Sequence, residues 1–129
     1  MASEKVIQQQ TQLEHAKIGP IFRNNSGACQ DQTGRMVRYG LGHVSAKQVK
    51  EWASSDLIGI TPTLITPEMV GYHLGVFTAF EIKPTGWTMR PSDDRAKAQA
   101  KFHDIVKAAC GYAGFVSDPS DIYRIIGRE

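Results

Sequence analysis

Residues 76–83 read Val76-Phe77-Thr78-Ala79-Phe80-Glu81-Ile82-Lys83, a run of β-branched and aromatic side chains closed by the turn residues Pro84-Thr85-Gly86. That composition predicts a buried strand with a turn behind it. Side chains alternate along a strand, so Val76, Thr78, Phe80 and Ile82 share one face, while Phe77, Ala79, Glu81 and Lys83 share the other. An acid and an amine thus sit two positions apart on one face of an apolar run. Buried charge is costly unless it is paired or binds an ion. Two readings fit: a strand-end salt bridge in solvent, or a metal-binding carboxylate beside a catalytic lysine.

Neighbours for this strand can be read on either side. Upstream, Asp56-Leu57-Ile58-Gly59-Ile60 predicts a short apolar strand opened by an acid. Residues 61–72, with two prolines and Gly71, predict a connection that returns the chain as an antiparallel neighbour. Downstream, Ser92-Asp93-Asp94 starts a helix that runs to Cys110 and stops at Gly111, with Phe102, Ile105, Val106 and Ala109 on one face. Gln99 points along that stripe, an odd place for an amide. Residues 112–117 predict a strand parallel to 76–83 through a β-α-β crossover. Asp118-Pro119-Ser120-Asp121 then starts a short helix over 122–126.

The first part of the chain is harder to order. Ser3 and Glu4 predict a helix start, and Gly19-Pro20 a stop. The stripe of Val6, Ile7, Leu13 and Ile18 is thin, which suits a helix at an edge or against a second subunit. Residues 21–23 and 36–39 predict short strands, with a turn cluster at Asn24-Asn25-Ser26-Gly27 and a polar loop over 28–35. Residues 45–52 predict a short helix with Val49 and Trp52 facing inward.

With 129 residues and 41% hydrophobic content, one domain over residues 1–129 with a single core is expected. No run approaches a membrane span, and Met1-Ala2-Ser3-Glu4-Lys5 lacks a signal peptide's apolar segment, so no membrane association and a cytoplasmic location are expected. Cys29 and Cys110 lack metal-type spacing and are expected as reduced thiols. A net charge of +2 does not announce a nucleic-acid binder, but Arg90, Arg95, Lys97 and Lys101 crowd one segment just after Lys83.

If the Asp56 strand pairs with 76–83, their polar ends meet at one sheet edge. Two carboxylates held together repel, and a hard divalent cation, Mg²⁺ or Mn²⁺, relieves that repulsion through oxygen ligands. An amine two residues from a ligand carboxylate can position water or stabilise charge on a phosphate. This is equipment for phosphodiester hydrolysis, and the basic cluster would attract a polyanion.

Asp56, 24 intervening residues and Glu81-Ile82-Lys83 resemble the core of the PD-(D/E)xK nuclease superfamily, with Ser55-Asp56 in place of Pro-Asp. More narrowly, the chain resembles phage-type VRR-NUC domains. The matching stretches are residues 22–27, 34–40, 54–59, 65–71 and 76–83, together with Gln99. The resemblance implies an α/β fold with a restriction-endonuclease-like core, a mixed central sheet flanked by helices. It also implies Mg²⁺ or Mn²⁺ dependence, DNA cleavage and, for stand-alone phage members, homodimers acting on branched DNA such as four-way (Holliday) junctions in the cytoplasm of a bacterial host. Carried over, Asp56 and Glu81 become metal ligands with the Ile82 backbone carbonyl, Lys83 the catalytic lysine, and Gln99 the amide steadying the site. Glu4 is the match for a further acid on the first helix, with Glu14 its rival.

Plainer readings stand beside these. Asp56 could cap a strand, Gln99 could be solvated, and Lys97 and Lys101 could form a solvated helix face. His15, His43, His73 and His103 lack ligand spacing and read as surface or satisfied core residues. Trp87 reads as a packed loop anchor or a platform for an unpaired base. Turn chemistry accounts for Asn24 and Asn25. Competing functions are a less selective nuclease, nickase or flap endonuclease, and a catalytically silent DNA-binding module on the same fold.

Overall fold

In the computed structural model, which describes residues 2–128, helices and short strands alternate along a mixed α/β chain. The chain divides into two compact units, Met1–Gly59 and Ile60–Glu129. The inward placement expected for Val49 lies outside the described residues.

The first unit opens with α1 (Glu4–His15), whose cap is Ser3: its hydroxyl accepts the Val6 N–H at 3.3 Å. Before residue 18 the helix gives way to a tighter turn, in which the N–H groups of Lys17 and Ile18 donate to the Glu14 and His15 carbonyls three residues back, and Pro20 disfavours helical backbone at Gly19. β1 (Ile21–Arg23) follows, then β2 (Gly27–Gln30) and β3 (Met36–Tyr39), paired antiparallel from Gly27↔Tyr39 to Gln30↔Met36. The loop expected over 28–35 is therefore strand over its first three residues. Ala28, Cys29 and Gln30 carry weak strand preference of their own, and the turn commits them to it. The Asp31 carboxylate accepts the N–H groups of Thr33 and Arg35, both at 2.9 Å, folding the chain back on itself. α2 (Ala46–Glu51) is capped by Ser45 as expected, but Trp52 is exposed: its extended backbone, φ −159°, takes it off the helical face.

β4 (Leu57–Gly59) pairs antiparallel with β1, Phe22 opposite Ile58. The antiparallel neighbour expected for the Asp56 strand was 76–83. Instead the ladders among the described residues are three two-stranded sheets, β1–β4, β2–β3 and β5–β6.

The second unit is the expected β-α-β crossover. β5 (Thr78–Ile82) and β6 (Tyr112–Val116) run parallel, with Glu81 opposite Phe115, and α3 (Asp94–Ala108) joins them. The N–H of Lys83 donates to the Val116 carbonyl at 2.8 Å, so the ladder extends one residue past β5. The cap of α3 is Asp93 and not Ser92; its carboxylate accepts the Ala96 N–H at 2.9 Å. At the other end Cys110, not Gly111, takes the left-handed backbone, φ +72°. Gly111 is needed for a close approach instead, since a Cβ there would lie 2.9 Å from the Phe77 carbonyl oxygen.

Ala96, Gln99, His103 and Val106, spaced by three and four, form the inner face of α3. Phe102 and Ile105, expected there, lie to one side of it and are exposed. Val106, fully buried, packs with Ile60, Ala109 and Ala113, and Phe77 and Ala79 lie against them. The six buried apolar side chains among the described residues all belong to this unit. The strand 76–83 is thus covered on one face only: Phe77, Ala79, Glu81 and Lys83 are half-buried, while Val76, Phe80 and Ile82 are exposed.

The terminal helix α4 (Asp121–Ile125) falls within one residue of the expected 122–126. The Asp121 carboxylate accepts the N–H groups of Ser117 (3.0 Å) and Asp118 (3.1 Å), so residues 117–120 form a turn ahead of it. Both cysteines are exposed free thiols. Among the described residues, no helix is long and apolar enough to cross a membrane.

Candidate functional site

Three polar side chains meet on the inner side of the second unit. The Lys83 ammonium donates to Gln99 Oε1 at 2.9 Å, and Gln99 Nε2 donates to Glu81 Oε1 at 2.7 Å. An amide has one donor end and one acceptor end, so it can join a cation to an anion in only one orientation. Glu81 and Lys83 do not form the direct strand-end ion pair considered from the sequence; the three ion pairs among the described residues lie elsewhere. The second Glu81 oxygen receives no hydrogen bond among the described residues and remains available to a ligand. Glu81, Gln99, Arg95, Ala98, Phe102 and His103 line a cavity of about 340 Å³ beside this chain of bonds.

The backbone explains why these groups meet. Alternation puts Glu81 and Lys83 on the face covered by α3, and Gln99 lies one turn inside that helix from its capped end. Pro84 restricts Lys83 to extended backbone, which keeps its side chain on the ladder's inner face. Below them His103 is only 5% exposed, its ring edge-on to Phe115 with centroids 4.7 Å apart. Burial, and secondarily the charge of Lys107, hold its pKa below the ordinary 6.5, against the opposing pull of Glu81 and Asp104.

The first unit brings together two other expected acids. Glu4, in the first turn of α1, and Asp56, just before β4, line one cavity of about 390 Å³ with Ile7, Gln8, Thr11, Ser55 and Leu57. Glu14 is turned to the surface and paired with Lys17 at 2.8 Å, so of the two rivals it is Glu4 that lies beside Asp56. Asn24 holds the Asp56 segment in place. Its amide donates to Ser54 Oγ (2.9 Å) and the Ser55 carbonyl (2.8 Å), and its N–H donates to the Asp56 carbonyl (2.8 Å).

The remaining expected residues separate. Ile82 sits between Glu81 and Lys83 with its side chain on the exposed face. Of the four basic residues, Arg95 reaches the cavity with Glu81; Arg90 and Lys101 are exposed, and Lys97 lies 3.9 Å from Asp94. Sequence reading did not assign a role to Asn24, His103 or Phe115 at these sites. Only Asn24 carried a signal, as part of residues 22–27.

Among the described residues, no three His, Cys, Asp or Glu side chains gather into a metal-ready group. The cavity of the first unit is lined by two carboxylates, Glu4 and Asp56, and that of the second by one, Glu81, together with His103. The chain matches no protein-family model, no curated protein and no solved structure.

Proposed function

We propose that this chain is a Mg²⁺- or Mn²⁺-dependent endonuclease of the PD-(D/E)xK type, with a restriction-endonuclease-like core, that hydrolyses phosphodiester bonds in DNA. The observation that carries this reading is the Lys83–Gln99–Glu81 chain of hydrogen bonds, in which an amide separates an acid from an amine and leaves one carboxylate oxygen without a hydrogen bond among the described residues. A surface salt bridge needs no such spacer. On the strength of the sequence resemblance, Asp56 and Glu81 are each taken as metal ligands, with Glu4 and the Ile82 carbonyl as further donors.

A divalent cation there would neutralise charge on a phosphate and make water a better nucleophile at neutral pH. Lys83 holds a positive charge next to it, where it can donate to a phosphate oxygen as charge develops. Gln99 keeps that ammonium from collapsing onto Glu81 and fixes the carboxylate's rotation. Arg95, on the same cavity, supplies a contact for a neighbouring phosphate. A homodimer, which the sequence resemblance implies for stand-alone phage members, would suit a resolvase that cuts paired strands of a four-way junction.

The test is cleavage of a labelled four-way junction, with linear duplex as control, in Mg²⁺. Cleavage should depend on the metal and fall by about 100-fold or more in Lys83→Ala and Glu81→Ala. Equal cutting of linear duplex would point to a less selective nuclease. No cleavage, with no carboxylate-dependent heat on Mg²⁺ titration, would overturn the reading in favour of a silent DNA-binding module.

A further inference from the structure

Lysine has a flexible four-carbon stem, and one hydrogen bond to an amide does little to hold its end in place. Here two aromatic faces bound it as well. The Lys83 ammonium lies 5.2 Å from the centre of the Trp87 ring and 5.7 Å from that of Phe115. Both distances fall inside the range over which an ammonium is attracted by an aromatic face, and indole is the strongest of the aromatic partners. The two rings also touch each other, with centroids 4.8 Å apart and planes tilted by 41°.

The chain reaches this arrangement by a local device. Pro84 begins a turn closed by the Trp87 N–H donating to the Pro84 carbonyl at 3.1 Å. Gly86, at φ +78°, supplies the backbone that such a turn demands at its third position. The turn doubles back just far enough to lay the indole beside the side chain that precedes it. Phe115 comes from the facing strand, opposite Glu81, and is supported from behind by buried His103.

We infer that Trp87 is a positioning residue for Lys83: its indole, backed by Phe115, confines the ammonium to the place where it donates to Gln99 and stays off Glu81. Without that wall the stem is free to swing onto the carboxylate two residues before it, on the same face of β5, and the two charges would then cancel. The inference rests on the nuclease reading for its effect on turnover, but the contact itself does not.

The experiment therefore has two arms, both on the full chain. In the first, NMR of ¹³C-lysine-labelled protein follows the Lys83 ε-methylene, assigned by its loss in Lys83→Arg. Its protons should be displaced upfield by ring currents in the wild type and in Trp87→Phe, and return towards free-lysine positions in Trp87→Ala. Trp87→Leu keeps apolar bulk without a ring and should behave like Trp87→Ala, which covers the case in which the alanine variant fails to fold. An undisplaced wild-type signal, or one unchanged in Trp87→Leu, overturns the inference. In the second arm, junction cleavage should show kcat lowered about tenfold in Trp87→Leu with KM little changed, and restored in Trp87→Phe. A change in KM with kcat intact would mean a direct DNA contact and also overturns it. If wild type and Lys83→Ala cleave alike, the nuclease reading is what has failed, and the NMR arm alone decides the positioning.

Discussion

In the second unit, Glu81 and Lys83 lie half-buried and share Gln99, on the helix that also carries the fully buried Val106. In the first, Glu4 and Asp56 face an open cavity, form no ion pair among the described residues, and have no buried apolar side chain of their own unit behind them. The two units therefore hold their polar groups in different ways. One relies on side-chain packing and a bonded chain of charges. The other relies on local hydrogen bonds: Ser3 at the helix start by Glu4, and Asn24 across the segment that leads into Asp56. A core holds a side chain in place, whereas caps and turns hold mainly backbone.

This contrast can be broken most easily at the core. Val106→Ala should cost about 2 kcal/mol in urea unfolding, the range expected when a buried side chain is cut back. Leu13→Ala, at a side chain 71% exposed, should cost under about 0.5 kcal/mol. A large loss at Leu13 would show that α1 is covered by a second copy in solution, and the units would then be alike. The helix caps give a finer comparison. Asp93→Ala should cost about 1 kcal/mol, because α3 carries the core and the bond is 2.9 Å long; Ser3→Ala, with a 3.3 Å bond on an edge helix, should cost about half of that. Equal costs would mean that helix context does not matter here.

The smallest effect is in pH. The pKa of His103 lies below 6.5 in the folded chain, so the unfolded chain takes up the proton first as pH falls. Its contribution to stability is therefore complete above about 6.5 and is lost as pH falls from there towards the folded pKa. Melting temperatures between pH 7 and pH 5 should decline more gently in His103→Leu than in the wild type. Parallel declines would place the proton uptake on another group.

Much of the second unit is legible in the sequence alone. Alternation along 76–83 predicts which face carries Glu81 and Lys83, and the crossover to 112–117 predicts a parallel partner; both hold. Gln99 is visible as an amide on an apolar stripe. The first unit is less legible because Ala28, Cys29 and Gln30 become a strand only through the turn at Asp31 and their pairing with β3.

By itself the sequence determined what depends on near neighbours: side-chain alternation, helix starts, turn residues and the order of elements. Those rest on backbone geometry repeated every few residues. Only the tertiary structure decided that β4 takes β1 as its partner and that His103 displaces Phe102 from the inner face. It alone brought Trp87 and Phe115 around the Lys83 ammonium. Ladder partners and ring contacts depend on residues far apart in the chain, and local periodicity carries no information about which distant surface will fit.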